Sequence, residues 1–366
     1  MQNHSAFRRS AARSLAVGTV AIMATVGLAG CSPQKGVSGS DDEIGVALIV
    51  KTSTNPFFIA MKEGAEAAAE DSGVSLTFAA GKEDGDEDTQ IKAIEDAVAR
   101  GDQGILITPN GPGVNDALTK ARDQGLYVIA LDTPPDPADT VDITFATDNR
   151  LAGQLIGEWT ANQLKGEKAT IALLDLFDDI IVSVDYDRDQ GFLEGMGIDV
   201  ADPKVNGDEK ATGQYTGGAG GDYEIVGSAA SNGAEDGGLS AMETLLSKNP
   251  NINVVYTINE PAAYGAYQAL EAAGKEDDVI IVSVDGGCAG IGYVKDGIIG
   301  ATSQQYPVKM AELGVEAIAE LASKGTKPSV TEGLDFYNTG VALVTNEPAE
   351  GVDSIDAAAA NEICWG

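Results

Sequence analysis

The stretch Gly45-Val46-Ala47-Leu48-Ile49-Val50-Lys51-Thr52-Ser53-Thr54-Asn55-Pro56-Phe57-Phe58 carries the clearest fold signal in the chain. Its uninterrupted apolar run reads as a strand buried on both faces. Asn55 and Pro56 then read as the N-cap and first residue of a helix continuing through Met61, Ala65 and Ala69. Strand, short polar loop and helix in that order open a βαβ unit. Ligands of open parallel sheets lie outside the carboxyl ends of strands, where Lys51 to Asn55 fall. Adjacent phenylalanines point in different directions on a helix, so one is expected to face a cleft. An aromatic face beside a lysine and hydroxyls suits a neutral polyol, stacked on one side and hydrogen-bonded at its rim.

The same rhythm continues outward. Strands are predicted at 74–80, 104–108 and 127–131, with helices at 87–100 and 114–124 between them. After Ile143–Thr147 the pattern restarts at Asp148-Asn149, with strands at 170–175, 224–227, 253–258, 279–284, 299–303 and 341–344. Helices are expected over 151–164, 183–197, 238–248, 308–323 and from Asn259 to Ala273. Repeated βαβ units give an α/β fold with parallel sheets and right-handed crossovers. Residues 198–221 are glycine-rich without periodicity and read as a surface excursion. Asp84, Asp86 and Asp88 have the spacing of a calcium loop but lack its glycine, so they read as a solvated acidic helix start. Asp132, Asn259, Asp285 and Gln305 each close a strand, which suggests a cleft shared by two lobes.

Composition narrows the chemistry. Arg8, Arg9 and Arg13 precede an apolar run from Leu15 to Leu28, and Leu28-Ala29-Gly30-Cys31 ends it. That ending resembles a bacterial lipobox, so residues 1–30 are expected to be a signal peptide and Cys31 a lipidated mature N-terminus. Residues 31–43 would then be a flexible tether. The signal holds three of the 23 basic residues and none of the 57 acidic ones, leaving a mature charge of −37. Such a surface repels nucleic acid. The single histidine, His4, leaves with the signal, which removes His-based triads, metal sites and acid–base pairs. With Cys31 lipidated, Cys288 and Cys364 remain as an even pair in an oxidising compartment and read as one disulfide.

Taken together, Thr54-Asn55-Pro56-Phe57-Phe58, Ile129-Ala130-Leu131-Asp132, Thr147-Asp148-Asn149, Arg188-Asp189-Gln190-Gly191-Phe192, Thr257-Ile258-Asn259-Glu260, Val284-Asp285-Gly286 and Ala301-Thr302-Ser303-Gln304-Gln305 resemble a known family. The chain is similar, from Ile44 to about Val344, to the type 1 periplasmic sugar-binding proteins of ABC importers, the ribose- and galactose-binding group. Glu260-Pro261-Ala262-Ala263, Val284-Asp285-Gly286-Gly287-Cys288 and Cys364-Trp365-Gly366 look most like the fructose-binding branch.

The resemblance implies two Rossmann-like lobes joined by a multi-strand hinge. Residues 44–147 plus 306–337 would form the N-terminal lobe, and 148–305 plus 338–366 the C-terminal lobe. It implies a sugar held by Asn55, Phe57, Phe58, Asp132, Arg188, Asn259, Asp285 and Gln305, with Lys51 on the rim. Ribose-binding relatives have Ser at Lys51 and Arg at Thr133, while an arabinose-binding relative has Lys at Lys51. The second-lobe aromatic of ribose binders has no counterpart near Gly233. The implied protein is a substrate-binding lipoprotein on the outer face of the membrane, a monomer without cofactor or metal. It would deliver a monosaccharide, fructose favoured over ribose, to an ABC permease and its ATPase, touching the membrane only through its lipid. A nucleoside or autoinducer binder of the same fold is the alternative, and a glycosidase using Asp132 and Asp285 a more distant one. A repressor with this core would need a basic DNA-binding segment in place of the signal and acidic tether.

Overall fold

The computed structural model describes residues 44–366. The expected signal, tether and Cys31 lie outside the described residues. The opening strand, Ile44–Val50, is paired in parallel with Val74–Ala80 on one side and Gly104–Ile107 on the other. Tyr127–Leu131, Ile143–Ala146 and the short Tyr337–Asn338 extend the Gly104–Ile107 side, giving six parallel strands. The strand order reverses at Ile44–Val50, so the carboxyl end of that strand opens onto a crevice.

The second sheet repeats the plan. Ala169–Asp175 lies between Gly221–Ala230 and Val254–Thr257, with Ile280–Asp285 and Ala301–Gln304 continuing beyond. Its two edge strands, Thr212–Tyr215 and Ala342–Val344, are antiparallel, so the seven-stranded sheet is mixed at its margins. The chain leaves the first sheet after Ala146, returns after Gln304 and crosses again after Asn338. Asn338 pairs with Ala146 in the first sheet.

Residues 198–221 lie mostly at the surface, as expected, but they include a strand. Thr212–Tyr215 pairs with the start of a ten-residue strand, and Tyr215 is fully buried with its hydroxyl donating to the Glu167 carbonyl at 2.8 Å. The first three residues of that edge strand are exposed, so no period-2 alternation marks it. The strand expected at 224–227 spans Gly221–Ala230.

Helix Pro56–Ser72 behaves as its sequence implies. The Asn55 side chain accepts from the Phe57 N–H at 2.9 Å, and Pro56 occupies the first turn. Its Met61 and Ala65 pack with Met310 and Val315 of helix Pro307–Lys324 over Leu106 and Ile129 of the first sheet.

In the other lobe, helices Asn149–Leu164 and Ser183–Met196 cross almost backbone to backbone. A Cβ on Gly153 would overlap the Arg188 carbonyl oxygen, and one on Gly191 would overlap that of Arg150. This close approach sets where Arg188 stands. No helix among the described residues is long and apolar enough to cross a membrane.

Candidate functional site

The carboxyl ends of the two sheets face each other. Lys51, Asn55, Phe57, Phe58, Asp132, Arg188, Asn259, Asp285 and Gln305, the nine side chains named from the sequence, all line one small cavity there. The void is about 30 Å³, room for one or two water molecules. Asp84, Leu176, Val184 and Ile258 complete its wall.

The aromatic side belongs to the first lobe. Phe57 and Phe58 are both buried and meet edge to face at 5.3 Å, and Trp365 meets Phe57 in the same way at 5.3 Å. The expectation that one phenylalanine serves the core and the other the cleft gives way to a shared role, since both join the first lobe's core and both line the cavity. Trp365 is held from two directions. Its indole N–H donates to the Gln305 carbonyl at 2.8 Å, and the neighbouring Cys364 is bonded to Cys288 with Cα atoms 5.0 Å apart. The end of the chain therefore buttresses the aromatic wall.

Asp132 and Arg188 meet across the cleft. Arg188 Nη2 lies 3.4 Å from Asp132 Oδ1, and both side chains are about 5 % exposed. The guanidinium is aimed by Asn149, which accepts from Nε at 2.8 Å, and by the Ile258 carbonyl, which accepts from Nη1 at 3.0 Å. The Thr133 hydroxyl donates to Asp132 Oδ2 at 2.8 Å. A planar fork whose other donors are already fixed has little freedom to lose when it meets a ligand oxygen.

On the opposite strand end, Gln305 Nε2 donates to Asp285 Oδ1 at 2.8 Å, leaving the buried Gln305 Oε1 without a hydrogen-bond donor. Burial pushes the Asp285 carboxyl up to about 7, although Arg188 and Gln305 both pull it down. Asp132 and Asp285 both stand at positive φ, 63° and 148°, a conformation that costs free energy and gathers at ligand sites. Glu260 secures the second of these turns. Its carboxylate accepts from the Gly286 and Gly287 N–H groups at 2.8 and 3.1 Å and from the Thr302 hydroxyl at 2.8 Å. Buried there beside Asp285, it titrates near 8.

The two asparagines are partly committed. Asn55 and Asn259 each cap a helix through Oδ1, and Asn259 also donates to the Gly233 carbonyl at 2.9 Å. What they retain for a ligand is mainly amide N–H. Lys51 is buried and makes no ion pair within 4 Å among the described residues. Its ammonium stands in the field of Asp84 and Asp185.

Asp84 is the polar residue that the sequence reading misplaced. Its neighbour Asp86 caps helix Glu87–Arg100 as an acidic helix start should. Asp84 instead turns inward on a loop pinned by Asn110, which accepts from Gly85 N–H and donates to the Asp86 carbonyl, both at 3.1 Å. Burial raises its carboxyl to about 6 against the pull of Lys51. It faces Gly233, whose Cβ would sit 4.0 Å from Asp84 Oδ2. A lone acidic residue before a helix gives no sign of which way its loop folds, so periodicity could not have found it. Where a second-lobe aromatic was missing, Leu176, Val182, Val184 and Ile258 form an aliphatic cluster with Phe177 and Ile180 against it.

The likeness to known proteins agrees with this geometry. The chain is 30 % identical over 292 residues to the ribose import binding protein of Salmonella typhimurium, covering 80 % of this chain and 88 % of that one. It is 31 % identical to the D-apiose import binding protein of Actinobacillus succinogenes, over 69 % of this chain and 72 % of that one. An ABC transporter solute-binding protein of Agrobacterium vitis, solved with bound D-fucose, superposes with a TM-score of 0.71 at 26 % identity, over 88 % of this chain and all of that one. Residues 46–327 match the periplasmic binding protein domain, and the chain belongs to that family.

Proposed function

We propose that the chain is the extracytoplasmic receptor of an ABC sugar importer, holding a monosaccharide between its lobes and presenting it to the permease. The observation that carries this reading is the convergence of aromatic faces, paired charges and amide donors from both lobes on one cavity. The chemistry suits a neutral polyol. Asp132 and Asp285 accept from hydroxyls, Arg188, Lys51 and the asparagines donate, and the unpartnered Gln305 Oε1 accepts one more. The cavity is smaller than the range of roughly 300–1,000 Å³ usual for small-molecule sites, so a sugar enters by hinge opening and takes over the Asp132–Arg188 contact. The named relatives are import binding proteins, so Asp132 and Asp285 are read as hydroxyl acceptors and not as a catalytic pair.

Fructose is the first choice. Its support is that the three stretches resembling the fructose branch form one structural unit: Glu260 secures Gly286 and Gly287, Cys288 is joined to Cys364, and Trp365 packs on Gly287 and Phe57. We also assign Cys31 as a lipid anchor on the outer membrane face, the tether as its spacer, and the monomer as the working state. Calorimetry of the purified protein against fructose, ribose, allose, apiose and fucose tests the sugar reading. Tightest binding to fructose is expected. Preference for another sugar removes the fructose assignment, and binding to none removes the function.

A further inference from the structure

Beside the inner site lies a second, far larger cavity of about 980 Å³. Asn55, Asp84 and Asp285 line both, so the two spaces adjoin. The lobes meet through Arg188 to Asp132, Ser183 to the Pro134 carbonyl and Lys204 to Asp136, and through Trp365 packed on Phe57. No hydrogen bond among the described residues spans the outer cavity from the Lys82–Asp84 loop to helix Glu235–Lys248.

Resting on the sugar-receptor reading, we propose that this outer cavity is a second saccharide subsite, so that the chain takes a disaccharide with one unit in the inner site and the other outside it. Volume supports this, since the outer space falls within the range of small-molecule sites, roughly 300–1,000 Å³. Its lining is also mixed in the way saccharide sites are. Tyr264 and Tyr293 lie parallel with centroids 4.8 Å apart, and Tyr267 stacks behind Tyr264 at 6.3 Å, giving a preassembled and half-buried aromatic edge. Hydrogen-bonding groups face it from both lobes, with Asp84 and Glu83 on one side and Ser240 on the other.

The surrounding charge selects the class of ligand. Glu83, Asp84, Glu235 and Asp236 outnumber Lys82, so a phosphorylated or carboxylated second unit is repelled and a neutral one accepted. The wall is rigid as well. Glu260 fixes the Gly286–Gly287 turn beneath it, and the Cys288–Cys364 bond ties the chain end to the neighbouring helix Cys288–Asp296. A preformed wall loses little freedom on binding.

The test is calorimetry of the purified protein with fructose and with four disaccharides that contain it: sucrose, turanose, palatinose and lactulose. At least one disaccharide should bind within tenfold of fructose or better. Tyr293→Ala, and separately Ser240→Trp placed on an exposed helix position to fill the cavity, should each weaken that disaccharide at least tenfold while leaving fructose within twofold. If fructose binds and none of the four disaccharides does, the subsite is wrong and the monosaccharide reading stands. If both variants change mono- and disaccharide alike, the subsite is also wrong. Failure of fructose and all four disaccharides overturns the sugar reading and this subsite with it.

Discussion

The two walls of the cleft are built from different materials. The first lobe presents aromatic rings, Phe57, Phe58 and the imported Trp365, set by a helix start and clamped by the disulfide-tethered chain end. The second lobe presents aliphatic side chains, Leu176, Val184 and Ile258, with an arginine aimed by helices that cross on glycines. One wall is specified within a few residues and offers shape. The other is gathered from scattered strand ends and offers charge and directed hydrogen bonds. The difference teaches that affinity should depend most on the assembled wall, and that the local wall should set which face of the ligand is stacked.

The strongest way to break the comparison is Arg188→Ala. It strips Asp132 of its partner and should weaken fructose binding by about 2–5 kcal/mol in calorimetry, with a cooperative melt retained. Cys364→Ser comes next and attacks the aromatic wall from behind. The bond joins residues 76 apart, and its loss should lower unfolding stability by up to about 4 kcal/mol in denaturant titration. The same loss in wild type on adding reductant would confirm the cause, and no change would contradict the buttress. A matched pair then compares the walls directly. Phe58→Ala should cost about 2 kcal/mol of binding, and Leu176→Ala on the order of 1 kcal/mol. Equal losses would mean that the ligand does not stack on the first wall.

The last comparison is of pH. Asp84, Asp185, Asp187, Asp285 and Glu260 are all lifted by burial, to about 6, 6, 7, 7 and 8. In the unfolded chain such carboxyls ionise near 4. Folding therefore takes up protons between about pH 4 and 8, and this stability is lost as pH rises through the folded values. Asp86, Glu194 and Glu224 shift the opposite way, held down by hydrogen bonds from Thr89, Arg150 and Lys168, so they ionise below this range. The melting temperature should rise as pH falls from 8 to 5, and Asp285→Asn should flatten that slope. A melting temperature that falls over this range would contradict the assignment of buried protonated carboxyls.

Much of the first wall was legible because its cause is local. The apolar run, Asn55 and Pro56 dictate strand, cap and helix, and the topology puts their junction at the crevice. Asp132, Asn259, Asp285 and Gln305 were legible as strand ends, and their resemblance to family motifs supplied the rest. Asp84 escaped because its direction depends on Asn110, 26 residues away along the chain. Trp365 escaped as a site element because its place follows from a disulfide and a carbonyl on distant segments. The positive φ of Asp132 and Asp285 leaves no mark in periodicity, and the aliphatic cluster of the second wall is spread over residues 176 to 262. Local rules cannot gather groups so far apart.

The most direct test of the whole account is a calorimetric titration of fructose into the wild-type protein and into Asp285→Ala, each checked for a cooperative melt. The account predicts saturable binding of one sugar per wild-type chain and a loss of at least about 2 kcal/mol in the variant, roughly thirtyfold in Kd. Equal affinity in the two proteins would contradict it.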